Sequence, residues 1–188
     1  GKTDLVVGSR GYSSSTGRVY LFYNDGSIPT TAATADVIIT GETTNNCFGQ
    51  SLASGDFNAD GKTDLAVGAY GYGSNRGRVY MYTFNDGVIT GQATSNLFGS
   101  AFASGDFNAD GKTDLAVGAY GYSSATGRAY VFYNDGSIPT TAATADIIIT
   151  GESGSWFGHT LASGDFNADG KTDLVVGSRG YSSSTGRV

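Results

Sequence analysis

The sequence predicts an all-β fold made of repeated four-stranded antiparallel sheets, and three observations support this prediction. The 188-residue chain contains 30 glycines and 2 prolines, and 39% of its residues are hydrophobic. This is the composition of a folded domain with many tight turns. No stretch shows apolar residues sustained at a helical spacing, so we expect little or no helix. The third observation is that the chain repeats itself.

The internal repeats define a unit of 50 to 60 residues. Residues 53–72 recur letter for letter at 103–122 and nearly so at 162–181. The glycines of the recurring DGKTDL motif, Gly1, Gly61, Gly111 and Gly170, stand 60, 50 and 59 residues apart. A repeat of this length is one supersecondary unit that packs against its neighbours. The shorter copy lacks the segment SIPTTAATAD, which we therefore place in a dispensable loop or strand extension.

Strands can be placed within one period from alternation and turn chemistry. In the second copy we predict a short strand at 51–55, a polar loop at 56–64 and a buried strand at 65–69. A loop at 70–77 and an alternating strand at 78–82 follow. The run Asn-Asp-Gly at 85–87 tolerates positive φ and closes a hairpin. It leads to a fourth strand at 88–90, or at 36–40 in the longer first copy, and four antiparallel strands are typical of a β-propeller blade.

The whole chain is predicted to be one region of such blades. Counted from the loop glycine, it holds three full periods at residues 1–60, 61–110 and 111–169 and a partial fourth at 170–188. Residues 1–19 are identical to residues 170–188, and we interpret the chain as a window on a longer array. Closed propellers have about four to eight blades. The sequence therefore predicts a partial propeller, a ring completed by several chains, or an open repeat array.

A polar loop between the first and second strands of each period carries the residues best suited to binding metal. It places oxygen-bearing side chains at loop positions one, three, five and nine, with glycine at six. Calcium needs several hard oxygen ligands, and alternate side chains of a tightly turning backbone converge on one point. A main-chain carbonyl at position seven is expected to complete the set. The candidate calcium ligands are Asp56, Asn58, Asp60, Lys62 and Asp64; Asp106, Asn108, Asp110, Lys112 and Asp114; Asp165, Asn167, Asp169, Lys171 and Asp173; and, in the first copy, Asp4.

The loop begins like an EF-hand but departs from it further on. Position twelve, where an EF-hand has its bidentate glutamate, holds Val67, Val117 and Val176, and the flanking segments have strand character. A single D-x-N-x-D-G match is also compatible with an ordinary Asx-turn loop. Three copies at a regular spacing favour metal binding instead. Three calcium ions would balance the formal net charge of −6.

The net charge limits the classes of binding partner, and the cysteine count limits how the fold can be stabilised. A net charge of −6 and a pI near 4.5 disfavour nucleic acid and anionic membrane surfaces, which the chain would repel. No run of about 20 apolar residues is present, so we expect no membrane insertion. The single cysteine, Cys47, cannot form an intramolecular disulfide, so we expect bound metal to stabilise the fold.

Two motifs connect the chain to a known family. The segment FGQSLASGD at residues 48–56, followed by DLAVGAY at residues 64–70, resembles the FG-GAP repeat of integrin α-subunit propellers. Related copies begin at Phe98 and Phe157, so the resemblance covers essentially the whole chain. It implies a propeller of FG-GAP blades, calcium in the loop between the first and second strands, and an extracellular location, secreted or at the cell surface. It also implies that loops on the opposite face bind a protein or glycan ligand.

Two features set the chain apart from a receptor propeller. The proline of the GAP signature is replaced by Tyr70 and Tyr120, and the end copies read Gly-Ser-Arg at Arg10 and Arg179. The blades are also nearly identical, which suits a repetitive scaffold more than an asymmetric binding site. We therefore predict a calcium-binding extracellular module for adhesion or ligand binding. The alternative is a structural repeat protein that binds copies of itself as a homo-oligomer, an extracellular fibre or a surface scaffold.

The remaining conspicuous side chains indicate no catalytic site. His159 stands where the other copies have Gln50 and Ser100, so we interpret it as a variable loop residue. With one histidine, one cysteine and no G-x-S-x-G motif, we predict that the chain is not an enzyme. Several aromatic and arginine side chains fall on the face opposite the calcium loops, where they either anchor a partner or pack blade against blade; these are Trp156, Tyr72, Tyr122, Tyr181 and Arg76.

Overall fold

Residues 3–83, 86–180 and 186–188 are described by a computed structural model. Within these ranges the chain forms short strands and only single helical turns, which confirms the all-β prediction. The strands are β1 (Leu5–Ser9), β2 (Arg18–Phe22), β3 (Val37–Thr40), β4 (Leu52–Gly55), β5 (Asp64–Ala69), β6 (Arg78–Tyr82), β7 (Gly87–Thr90), β8 (Phe102–Gly105), β9 (Asp114–Ala119), β10 (Arg128–Phe132), β11 (Ile147–Thr150), β12 (Phe157–Gly164) and β13 (Asp173–Ser178).

The strands form four antiparallel sheets in which sequence neighbours are also spatial neighbours. Strands β4 to β7 and β8 to β11 make two four-stranded sheets, here called blades II and III. Strands β1 to β3 make the three-stranded blade I, and β12 and β13 make the two-stranded blade IV. The strands predicted for the second copy match β4 to β7 to within one residue at each end. Blades II, III and IV are offset from the sequence periods, because each begins with the strand that precedes its polar loop.

The turn between the second and third strand of a blade is a single helical turn where the sequence predicts a loop. These turns are α1 (Tyr12–Ser15), α2 (Tyr72–Asn75) and α3 (Tyr122–Ala125). Each contains three residues in the left-handed region; in α2 these are Gly73, Ser74 and Asn75. The backbone therefore reverses direction instead of continuing as a helix. The SIPTTAATAD segment forms a short 3₁₀ turn, Ala32–Thr34 or Ala142–Thr144, as expected for a loop that the shorter copy omits.

The hydrophobic core lies between blades. Strand β5, in the middle of blade II, is buried along its whole length. Its side chains alternate, so Leu65 and Val67 join a cluster shared with blade I, whereas Ala66 joins a cluster shared with blade III. The phenylalanine that opens each repeat fills the junction: Phe48 is 1% exposed and meets the Tyr80 ring edge-on at a centroid distance of 5.3 Å. Each blade therefore depends on its neighbours to bury its faces.

Paired glycines allow adjacent blades to approach closely. A Cβ added at Gly68 of β5 would overlap the carbonyl oxygen of Gly99, the second residue of the FG pair that opens blade III. The same overlap with an FG glycine recurs between blades I and II and between blades III and IV, at Gly8 and Gly49 and at Gly118 and Gly158. The glycines of the FG and GA motifs thus form one backbone contact at each junction.

An arginine at the start of β6 or β10 stacks on a tyrosine of its own blade, and Arg78 also contacts the preceding blade. The Arg78 guanidinium lies over the Tyr72 ring at 3.5 Å and forms an ion pair with Glu42 of the preceding blade at 3.2 Å. Arg128 lies over Tyr122 in the same way, also at 3.5 Å. Tyr72 and Tyr122 of the Gly-Tyr motif therefore pack within the scaffold, the second of the two roles that the sequence leaves open. Arg76 is exposed, and Tyr181 lies outside the described residues.

No helix in the described residues is both long enough and apolar enough to cross a membrane.

We expect Gly68→Ala to destabilise the fold by about 1–3 kcal/mol, because its methyl group would be forced against the backbone of the next blade. Gly11→Ala is the matched control, since Gly11 has φ of −83° and no atom within 4 Å of an added Cβ. Chemical denaturation of both variants measures the difference. Equal free energies of unfolding would contradict the proposed close contact between blades.

Candidate metal centre

The polar loops of blades II, III and IV lie where the sequence predicts them, between the first and second strands of the blade. The loop of blade II joins β4 to β5 and ends at Asp64, the first residue of β5. The turn needs two left-handed residues, Ala59 with φ of 58° and Gly61 with φ of 82°. Gly61 adopts this conformation freely, as predicted for loop position six, whereas Ala59 adopts it at a steric cost.

The side chains of the loop hydrogen-bond to its own backbone. The carboxylate of Asp56 accepts from the amides of Asp60 and Gly61 at 3.0 and 2.8 Å. The Asp60 carboxylate accepts from the amide of Lys62 at 2.9 Å, and the amide oxygen of Asn58 accepts from the Asp60 amide at 3.0 Å. These contacts pull loop positions one, three and five into one tight turn.

The last loop position connects the turn to the sheet. Asp64 is buried, and its carboxylate accepts from the amide of Phe57 at 2.9 Å. Burial raises the pKa of the Asp64 carboxyl, and the negative charges of Asp60 and Asp56 raise it further, against the opposing effect of the Phe57 amide. The three carboxylates of the loop thus lie within electrostatic reach of one another, and a nearby cation would relieve their repulsion.

The same loop geometry recurs in blades III and IV. Asp106 accepts from the amides of Asp110 and Gly111 at 2.9 and 2.8 Å. Asp165 accepts from the equivalent amides of Asp169 and Gly170 at 3.0 and 2.9 Å. The remaining positions repeat too: the pairs are Asn108 with Asp110, Asn167 with Asp169, Lys112 with Asp110, Lys171 with Asp169, Asp114 with Phe107, and Asp173 with Phe166.

The described residues contain no group of three or more His, Cys, Asp or Glu side chains arranged to hold a metal ion. In each loop the carboxylate oxygens accept hydrogen bonds from backbone amides. The donor types nevertheless fit calcium, because one short turn holds three carboxylates and an amide oxygen. The residues that would hold an ion are therefore the predicted ones, and their coordination of calcium stays a prediction.

One asparagine links two of the loops. The amide of Asn134, in the turn after β10, donates to the Asp114 carboxylate at 2.9 Å. Its side chain donates to the carbonyl oxygen of Asp56 in the loop of blade II at 2.8 Å. The predicted residue Asp4 in blade I corresponds to Asp114 and accepts from the amide of Asn24 at 2.8 Å. The loops of blades II and III therefore share a partly buried hydrogen bond, which the spacing of the loop residues does not predict.

A second group of polar side chains, which the sequence analysis did not select, lines a cavity at the other end of the strands. Strand β5 separates the two locations, since the metal loop precedes Asp64 and Tyr70 follows Ala69. In the sequence, Tyr70 and its repeat equivalents stand out only as departures from the GAP signature, and that departure was the available signal. The interpretation of His159 as a loop residue is wrong, because it lies within β12. The lining residues are Arg10, Gln50, Tyr70, Ser100, Tyr120, His159 and Arg179.

The fold and the loops together define a class of protein made of repeated four-stranded blades, each with an acidic loop between its first two strands. The family model of the FG-GAP repeat matches residues 48–82, 98–132 and 157–188, which make up more than half of the chain. The chain belongs to the FG-GAP repeat family, which confirms the predicted resemblance. FG-GAP repeats are generally non-catalytic.

Characterised relatives resemble part of the chain. It is 44% identical over 95 residues to phosphatidylinositol-glycan-specific phospholipase D of Homo sapiens, an alignment that covers 44% of this chain and 11% of that protein. The enzyme of Bos taurus is 43% identical over 95 residues, with the same coverage. Integrin alpha-IIb of Mus musculus is 37% identical over 92 residues, covering 44% of this chain and 9% of the integrin. The chain thus spans about a tenth of the length of these relatives.

Proposed function

We propose that this chain is a calcium-binding, extracellular FG-GAP propeller module that binds a protein or glycan ligand, as in adhesion. The observation that carries the proposal is the threefold recurrence of one acidic loop with the same pattern of hydrogen bonds. Each carboxylate can accept more bonds than these amides supply, so oxygen lone pairs in every copy stay available to a cation.

Calcium is the cation that the donor set favours. Each loop offers carboxylate and amide oxygens, which are hard ligands, and no histidine or cysteine that would favour zinc. The carboxylates repel one another at Asp64, and the chain carries a net charge of −6. When bound, calcium would supply positive charge and additional bonds that tie each loop together.

Likeness to two kinds of protein supports the extracellular part of the proposal. Integrin alpha-IIb and phosphatidylinositol-glycan-specific phospholipase D both contain segments similar to this chain. Extracellular calcium modules bind the ion with dissociation constants of roughly 10⁻⁴ to 10⁻³ M, which suits calcium-rich fluids. Because no intramolecular disulfide can form, bound calcium would stabilise the blades in an extracellular fluid. We assign the chain a binding role and no catalytic activity of its own.

Removing calcium is expected to lower the stability of the protein. At a free calcium concentration of ten to a hundred times the dissociation constant, each site that binds only the folded state adds about 1.4 to 2.7 kcal/mol. Thermal melting with calcium and with excess chelator measures this difference, and magnesium at the same concentration is the control for ionic strength. An unchanged melting temperature after chelation would contradict calcium binding.

A single loop can be tested with Asp60→Asn, which removes one charge while its side-chain oxygen still accepts from the Lys62 amide. We expect calorimetry to show one fewer bound calcium ion, with the other loops still occupied, because each loop closes mainly on its own residues. Asp25→Asn, an exposed aspartate outside the loops, is the matched control. Loss of every site together would show that the loops act as one unit, for which the Asn134 bridge is the structural candidate.

Assembly into a fibre or scaffold is a second candidate function, and the repeated blade junction favours it. The same pairing of glycines occurs at each junction, so one contact can be reused along an array. Apolar side chains of blade I, among them Leu5, Val7 and Ile38, are 40–43% exposed. We expect the 188-residue chain to associate with copies of itself in analytical ultracentrifugation with calcium present. A compact monomer of 19.3 kDa at all concentrations would contradict this second function.

A further inference from the structure

The cavity opposite the metal loops has a volume of about 320 Å³ and is formed by all four blades. Each blade contributes the residue that directly follows β1, β5, β9 or β13: Arg10, Tyr70, Tyr120 and Arg179. The last three blades also contribute the residue after their FG pair, which is Gln50, Ser100 or His159. This volume lies at the lower end of the range for ligand pockets, so it suits a small group such as one sugar ring.

The cavity is positively charged although the chain is acidic overall. No aspartate or glutamate lines it, whereas Arg10 and Arg179 do. Within the described residues, neither arginine forms an ion pair with a carboxylate. Arg10 instead donates to the Tyr70 hydroxyl at 3.1 Å, and the Arg179 guanidinium lies 5.0 Å from the Trp156 ring. Two guanidinium groups are thus free to bind an anion.

Both positive charges act at one place in the cavity. Burial raises the pKa of the Tyr120 phenol, while the charges of Arg10 and Arg179, which line the same cavity, both act to lower it. Burial and the charge of Arg179 also lower the pKa of His159, which favours the neutral imidazole, able to donate and to accept. The cavity therefore combines positive charge with neutral hydrogen-bonding groups.

Aromatic rings form one side of the cavity. The Tyr120 ring lies 5.8 Å from the Trp156 ring and 5.0 Å from the His159 ring, measured between centroids. The stacked rings fix the position of Tyr120 at the cavity wall. A second tyrosine, Tyr70, lines the cavity from the neighbouring blade. Tyrosine offers both an apolar ring and a hydroxyl, a combination that suits the mixed polar and apolar surface of a sugar.

Repeats that are otherwise nearly identical differ at this cavity. The segment from Gly55 to Gly68 is the same, letter for letter, as that from Gly105 to Gly118. The residue after FG is nevertheless glutamine, serine and histidine in successive copies, and the residue before FG is Cys47, Leu97 and Trp156. Differences therefore occur where side chains from several blades meet, which is where an asymmetric ligand would need them.

We propose that this cavity binds an acidic sugar. Arg10 and Arg179 hold its carboxylate, the side chains of Gln50, Ser100 and His159 hydrogen-bond its hydroxyl groups, and the tyrosine rings contact its apolar face. The inference rests on the binding function proposed above and names the ligand class and its site. An anion without a sugar, such as sulfate, shares the charge and would contact only the arginines.

The test is isothermal titration of the calcium-loaded 188-residue chain with glucuronate, glucose and sulfate, each added separately. We expect glucuronate to bind at least roughly tenfold more tightly than glucose, because hydrogen bonds from a guanidinium to a carboxylate are stronger than those to a neutral hydroxyl. We also expect sulfate to bind more weakly than glucuronate. Equal affinity for glucose would overturn the role of the arginines, and equal affinity for sulfate would overturn the assignment to a sugar.

Two variants take their residue from the same repeat position in another blade, so the fold should tolerate them. Arg10→Tyr and Arg179→Tyr introduce the side chain that Tyr70 and Tyr120 already supply there. Each is expected to weaken glucuronate binding roughly tenfold and to leave the response to calcium unchanged. The control Arg76→Thr also borrows its residue from other copies and lies outside the cavity lining.

Unchanged glucuronate affinity in both arginine variants, or an equal loss in Arg76→Thr, would overturn the proposal. The melting temperature of the same samples with and without calcium separates the calcium-site proposal from the sugar-site proposal. If only the sugar proposal fails, calcium still raises the melting temperature. If wild-type chain binds glucuronate equally well with chelator present, the cavity proposal stands independently of the metal loops.

Discussion

The backbone contact between paired glycines is the constraint on which the rest of the structure depends. Because Gly68 has no side chain, the Gly99 carbonyl can approach β5 directly, and the same approach recurs at Gly8 and Gly118. This contact sets the distance between blades, and that distance in turn lets Phe48 fill the junction against Tyr80. It also brings neighbouring strand ends close enough for the metal loops and the cavity side chains to line up in rows at opposite ends of the blades.

The parts of the fold that the sequence predicts well are those determined within one period. Alternation identifies β5 and β6, and the acidic motif identifies the loop between β4 and β5, because each depends only on residues close together in the chain. The left-handed conformation of Gly61 follows from the same local chemistry. The helical turn at Tyr72–Asn75 was predicted only as a loop, since four residues carry too little periodicity to indicate its conformation.

Contacts between blades were beyond the reach of the sequence, because they join residues far apart in the chain. The bridge from Asn134 to Asp56 spans 78 residues, and the contact of Arg10 with Tyr70 spans 60. The cavity depends on blades I to IV together, so no motif within one repeat describes it. The sequence shows tyrosine and arginine in place of the GAP proline. Their role in one cavity could not be predicted, because it depends on these positions converging in the fold.

The two ends of the blades therefore differ in the amino-acid substitutions that they can tolerate. A metal loop is closed by its own amides, so each carboxylate is tied to a neighbour a few residues away and the loop is best repeated unaltered. Positions such as Gln50 and Arg179 lie outside the glycine contacts and line the cavity, where side chains of different size are found in successive blades. Such positions can vary without disturbing the junction. A scaffold of nearly identical blades can thus carry a site with distinct contributions from each blade, which reconciles the repetition of the sequence with a specific binding role.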